Sequence, residues 1–240
     1  MTADRVARQG RVGRGTITCS YCAIWLLLAG FARVAAAANL VFNGSFEANT
    51  AAATIYNMTN AGWTATVANS TAFGASQELD LMTLDNVYGS PPPDGLWKAG
   101  LHTHAGATAL DAFSLTLSSS VVAGQTYRLR FSAESVTDFS SVLGIVSIGI
   151  SGSATAFGNQ VFSASPGASG WTQYDQTFVA PASGSYLTVS SVANNDGWTH
   201  VDNFQLEAVP EPATWAVVGV GPALLAWWRR RDRQAGNGGH

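Results

Sequence analysis

Between residues 39 and 209, apolar and polar side chains alternate with a period of two, and stripes with the helical 3.6-residue period are missing. Tyr127-Arg128-Leu129-Arg130-Phe131-Ser132-Ala133-Glu134 is the clearest case, and Val146, Ile148 and Ile150 alternate with Ser147 and Gly149. Successive side chains of a strand point to opposite faces, so such runs describe half-buried strands. The same reading predicts strands at 40–46, 63–67, 78–84, 112–117, 172–179, 186–192 and 201–207. Turn chemistry separates them at Ala123-Gly124-Gln125, Ser165-Pro166-Gly167, Pro181 to Gly184, and Asn194-Asn195-Asp196-Gly197. About nine short strands spaced by turns predict an all-β fold, a two-sheet antiparallel jelly-roll β-sandwich. A core spanning 39–209 suits one domain and is large enough to bury its apolar surface without disulfides. Cys19 and Cys22, the two cysteines of the chain, lie outside it.

The two ends are unlike the core. Arg5, Arg8, Arg11 and Arg14 precede an apolar run at 17–31, and small residues follow at 35–38. These are the three parts of a secretory signal, predicted to occupy residues 1–38 and to be cut after Ala37 or Ala38. At the other end, Pro210-Glu211-Pro212 precedes sixteen mostly apolar residues at 213–228, and Arg229, Arg230, Arg231 and Arg233 follow. As a helix, that run is about 24 Å long at ~1.5 Å per residue. It is a marginal span for a hydrocarbon core of about 30 Å, weakened by Pro222 and aided by Trp227, Trp228 and the arginines. Residues 234–240 are expected to be a disordered tail. The order Pro-Glu-Pro, apolar segment, arginine cluster resembles the PEP-CTERM sorting signal of Gram-negative bacteria. The resemblance implies that an exosortase-type enzyme recognises residues 210–233 and that the membrane holds the chain transiently before processing. It also implies a host that makes exopolysaccharide.

Four core segments carry a second resemblance: Asn39 to Glu47, Gly62-Trp63, Ala123 to Phe131, and Val201-Asp202-Asn203-Phe204-Gln205-Leu206. Together they resemble the galactose-binding-like jelly rolls of many carbohydrate-binding modules. Modules of that group often hold a structural calcium between the first and last strands. The resemblance places Glu47 and Asp202 as its ligands, with backbone carbonyls completing six to eight oxygens. The competing expectation is an Asp202 that accepts backbone N–H groups and binds no ion. By period two, His200, Asp202, Phe204 and Leu206 share one face, which would draw Asp202 inward.

Charge and aromatic residues bound the function. The core holds twelve acids against three basic residues, Lys98, Arg128 and Arg130. That balance excludes nucleic acid as a partner, because neutralising phosphates takes cations. Tyr88, Trp97 and Trp198 lie beside turn-rich stretches and are the candidate platforms for stacking on sugar rings, whereas Trp63 and Trp171 are expected in the core. His102 and His104 share one side of an extended run, with Asp111 as the nearest third ligand; a polar strand face is the expected reading, as it is for His200. A Gly-x-Ser-x-Gly elbow, a phosphate loop and His-Glu-x-x-His are all missing. The chain is therefore expected to be an exported, non-enzymatic β-sandwich that associates with extracellular polysaccharide. A specific carbohydrate-binding module and a glycan-degrading hydrolase are the alternatives.

Overall fold

The computed structural model describes residues 37–210, except 75–78, 103–105, 107–109 and 139. Nearly all of the secretory segment, together with Glu211, Pro212, the apolar run 213–228, the four tail arginines and His104, lies outside the described residues. Among the described residues no helix is long and apolar enough to cross a membrane.

Eleven strands and one short helix are described: β1 (Ile55–Met58), α1 (Asn60–Thr66), β2 (Ser70–Phe73), β3 (Leu79–Met82), β4 (Lys98–His102), β5 (Ala112–Val121), β6 (Thr126–Val136), β7 (Val146–Ser151), β8 (Asn159–Ala164), β9 (Thr172–Val179), β10 (Gly184–Ser190) and β11 (Trp198–Ala208). They form a six-stranded sheet in the order β1-β3-β4-β11-β6-β9 and a five-stranded sheet in the order β2-β5-β10-β7-β8. All the ladders are antiparallel. The chain crosses repeatedly from one sheet to the other, so the architecture is the expected two-sheet jelly-roll sandwich. Its core is aromatic: Phe46, Trp63, Phe113, Phe131 and Phe204 are buried between the sheets, with Phe131 stacked on Phe204 at 5.3 Å. Trp63 donates from Nε1 to Ser70 Oγ at 2.9 Å, so its one polar atom is satisfied in the core.

Two of the expected strands differ. Residues 63–66 belong to α1 and Val67 is its C-cap, because Thr59 caps a helical turn by accepting from the Gly62 N–H. The alternation of Trp63-Thr64-Ala65-Thr66-Val67 imitates a strand, but the seven-residue helix buries Trp63 alone, and Val67 is buried as the C-cap that follows it. Residues 40–46 make isolated bridges at Val41 to Leu117 and pack Gly44 against β11. Phe204 N donates to Gly44 O at 3.0 Å, and a Cβ at Gly44 would lie 2.1 Å from Phe204 O. Only glycine permits that approach.

Candidate functional site on the six-stranded sheet

In β4, Ala99 and Leu101 face the core, so Lys98, Gly100 and His102 face outward. In β6, Phe131 and Ala133 face inward, which turns Ser132 and Glu134 outward. In β11, Val201 faces inward and His200 and Asp202 outward, with His200 opposite both Gly100 and Glu134. The register of β11 then shifts between Asp202 and Gln205, and Asn203 adopts φ 56°. This bulge corrects the period-two expectation. It separates Asp202, on the outer face, from Phe204 and Leu206, which turn into the core.

The outer face is nonetheless buried, because the connection 83–97 between β3 and β4 doubles back over it as a strap. Lys98 Nζ donates to Tyr88 O at 3.1 Å and to Ser90 O at 2.7 Å. Glu134 Oε1 accepts from Ser90 N at 2.8 Å and lies 3.0 Å from His200 Nδ1 and 3.5 Å from Lys98 Nζ. Gly89, at φ 66°, fits against this group, since a Cβ there would lie 2.5 Å from Glu134 Oε1. Trp171 Nε1 donates to Pro91 O at 2.7 Å, and the Lys98 ammonium lies 5.7 Å from the Trp171 ring centroid. Lys98, Glu134 and His200 are each 1 % exposed.

Burial sets the electrostatics. It pushes the His200 pKa down to about 4, despite the hydrogen bond to Glu134 and with help from the Lys98 charge. The imidazole is therefore neutral at pH 7, and Nδ1–H donates to the Glu134 carboxylate. Burial alone would raise Glu134, but hydrogen bonds from His200 and Ser90 outweigh it and hold the carboxyl below its ordinary range. Burial also lowers Lys98, opposed by Glu134. Lys98 and Glu134 thus form a buried ion pair with most of its hydrogen bonds supplied by the strap.

Glu47 and Asp202 hold the other end of the strap. Glu47 Oε1 accepts from Leu96 N at 2.7 Å and Trp97 N at 2.8 Å. Asp202 accepts from Asn203 N at 2.6 Å and Asp94 N at 3.3 Å. Burial raises Asp202 to about 8, and the negative charges of Asp94 and Glu47 add to the rise. The two residues expected to share calcium are thus brought to one place, each carboxyl accepting two backbone N–H groups. Among the described residues no three His, Cys, Asp or Glu side chains gather as a metal site. Asp111 accepts from His102 N at 2.8 Å, and His102 Nε2 lies 3.4 Å from Asp196.

The three platform candidates are dispersed. Trp97 is half-buried against the core. Tyr88 is half-exposed and meets the exposed Tyr56 edge-on, with centroids 6.0 Å apart. Trp198 is half-buried and stacks on His102 at 4.5 Å. Trp171, expected in the core, instead stands half-exposed beside Lys98. Tyr56, Tyr88, Trp171 and Trp198 thus belong to one outer face, whose middle is hydrogen-bonded and polar. Sequence reasoning missed Lys98, Glu134, Tyr56 and the placement of Trp171. The signal for the first was present: one lysine in the apolar stretch Leu96 to Leu101 has to find a partner.

No family model matches the chain, and no curated protein matches it. Several solved structures are similar to it. The galactotriose complex of the carbohydrate-binding module TmCBM61 is 15% identical, with TM-score 0.42, over 72% of this chain and 99% of that one. The CBM22-1 xylan-binding domain of Paenibacillus barcinonensis Xyn10C is 13% identical, with TM-score 0.43, over 74% and 98%. The arabinose-bound α-L-arabinofuranosidase MgGH51 is 17% identical, with TM-score 0.45; the match takes in 71% of this chain but only 26% of that enzyme.

Proposed function

We propose that the chain is an exported, non-catalytic module that associates with extracellular polysaccharide through the outer face of its six-stranded sheet. The observation that carries this reading is the set of aromatic rings Tyr56, Tyr88, Trp171 and Trp198 on the same face as hydrogen-bonding side chains. Aromatic faces stack on the apolar faces of sugar rings, and neighbouring polar groups take their hydroxyls. Of the carboxylates on this face, Asp80, Glu134 and Asp202 are 0–1 % exposed, Glu134 and Asp202 lie under the strap, and Asp175 and Glu207 are paired with Arg128 and Arg130, which favours binding over hydrolysis. The sorting reading is carried by sequence: Pro210, Glu211, Pro212 and the arginines Arg229, Arg230, Arg231 and Arg233 make the chain a substrate of an exosortase-type enzyme. Its tail holds the inner membrane until processing frees it into the envelope or beyond.

A glycan array probed with the full chain tests the binding reading. Retention of a neutral polysaccharide that falls at least ten-fold in Trp198→Ala is expected. Equal retention by the parent chain and by Trp198→Ala and Tyr56→Ala would remove this face from the contact. For the sorting reading, intact mass spectrometry of exported protein is expected to find chains ending near Pro212; chains ending at His240 would refute processing.

A further inference from the structure

The strap is attached in an unusual manner. Its ends are clamped, the first by Thr54 and Tyr56 donating to Asp85 and Asn86, and the last by Glu47 accepting from Leu96 and Trp97 N–H with Trp97 packed on the core. Its other large apolar side chains, Leu84, Val87 and Leu96, are 60%, 80% and 51% exposed and contribute little hydrophobic hold. Between Tyr88 and Pro91 the bonds that hold it run from its backbone to side chains of other elements: Lys98 of β4, Glu134 of β6, and Trp171 before β9. A middle held by a few polar bonds and little apolar burial can open between its clamped ends while the rest of the fold stays closed.

We propose that residues 83–97 form a lid over a second, internal sugar site, and that the Tyr88–Ser90 backbone occupies this site as a built-in stand-in for a neutral vicinal diol. The floor defines the ligand. Lys98 Nζ gives hydrogen bonds to two carbonyl oxygens, at 3.1 and 2.7 Å, and Glu134 Oε1 takes one N–H at 2.8 Å. A replacement has to present two acceptors and one donor within a few ångströms of one another. It has to be uncharged, because ammonium and carboxylate already neutralise each other and a further buried charge would be unpaired. Adjacent hydroxyls of a pyranose meet both conditions. Gly89 marks how closely the occupant sits on the floor, since even a methyl group there would meet Glu134 and His200. This inference rests on the glycan reading above and adds to it the chemical class of the ligand and a gate. The fraction of open lid scales the apparent affinity, so loosening the lid tightens binding.

Hydrogen exchange on the full chain, with and without high millimolar glucose or galactose, tests the lid and the ligand separately. Ser90 N–H is expected to exchange by local opening, much faster than the N–H of Val201 in the core. Trp171→Phe keeps the ring but removes the bond to Pro91, and should speed Ser90 exchange about five-fold, the worth of one ordinary hydrogen bond. Either sugar should speed it further in the parent chain, because it holds the lid open, and should have no such effect in Glu134→Gln, where the floor is altered. Ser90 exchanging only at the rate of Val201 would overturn the lid. Fast Ser90 exchange that neither sugar alters would overturn the internal site, yet leave the array result, and with it the outer-face reading, standing.

Discussion

The two sheets of the sandwich share one core but present opposite chemistry on their outer faces. On the six-stranded sheet, that face buries Asp80, Lys98, His102, Glu134, His200 and Asp202, beside the half-exposed ion pairs Arg128–Asp175 and Arg130–Glu207. On the five-stranded sheet, the corresponding positions are Thr71, Phe73, Ser114, Thr116, Tyr186, Thr188, Ser190, Ser147, Ser151 and Ser163, with no carboxylate, ammonium or imidazole among them. Both are covered by a loop. Residues 152–158 lie over the hydroxyl face, where Ser114 Oγ donates to Ala154 O at 2.9 Å and Gly158 N donates to Thr188 Oγ1 at 3.2 Å. A hydroxyl buried with one partner needs little from its surroundings, whereas a buried ion needs a full set. The difference teaches that the strap over the six-stranded sheet is structural for the ions beneath it, while the loop over the other sheet is close to a simple cover.

The contrast is sharpest under truncation. Glu134→Ala leaves Lys98 and His200 buried without their shared partner, which is expected to cost about 3–5 kcal/mol. For a domain of this size that corresponds to a fall in melting temperature of about 10 °C. A fall no larger than that of a hydroxyl deletion would erase the distinction between the faces.

How far these faces were legible in sequence follows the same divide. The period-two pattern is a property of apolar side chains, so the sandwich and its core strands β5, β6, β7, β9 and β10 follow from it directly. The same reading reaches β3 and β11 but misses β1, β2, β4 and β8: β4 is buried on both faces and β8 fully on neither, leaving no alternation to detect, and β1 and β2 are only four residues long. Tyr88 and Trp198 were singled out because they lie beside turns, and Glu47 and Asp202 because the segments around them resemble galactose-binding-like jelly rolls. The Lys98–Glu134 pair was hidden, since 36 residues separate its members and only the register of β4, β11 and β6 brings them together. The bulge at Asn203 was equally silent, although it decides which way Asp202 faces.

A smaller effect is expected from pH. Asp202 is held up to about 8, against about 3.9 for a free carboxyl, so between these values the native state keeps a proton that the unfolded chain has released. Stability therefore falls as pH rises through that window. His200, held down to about 4, acts in the opposite sense below about pH 6.5, where the unfolded chain takes a proton that the native state refuses. The two oppose each other up to about pH 6.5, and Asp202 acts alone above it. Thermal melts are expected to drop by a few degrees between pH 6.5 and 8, at most about 1.4 kcal/mol per pH unit. Asp202→Asn should flatten that slope; an unchanged slope would place the proton elsewhere.

On the hydroxyl face, Ser147→Ala removes a bond to Ser163 Oγ and should lower the melting temperature by about 3 °C, the equivalent of about 1 kcal/mol. The smallest effect is expected from chelation. Because backbone N–H groups satisfy Glu47 and Asp202, removing divalent cations should leave the melting temperature unchanged. A loss that calcium restores, and that Asp202→Asn abolishes, would instead assign the ion to that pair.

The most direct measurement is oxidative footprinting of aromatic side chains in the full chain, with and without the polysaccharide retained on the array. Each outer face carries its own reporters: Tyr56, Tyr88, Trp171 and Trp198 on the six-stranded sheet, Phe73 and Tyr186 on the five-stranded sheet. Protection of the first set with Phe73 and Tyr186 unchanged is the expected result. Protection of Tyr186 and Phe73 while Trp171 and Trp198 remain as reactive as in the free chain would contradict a glycan contact on the six-stranded sheet.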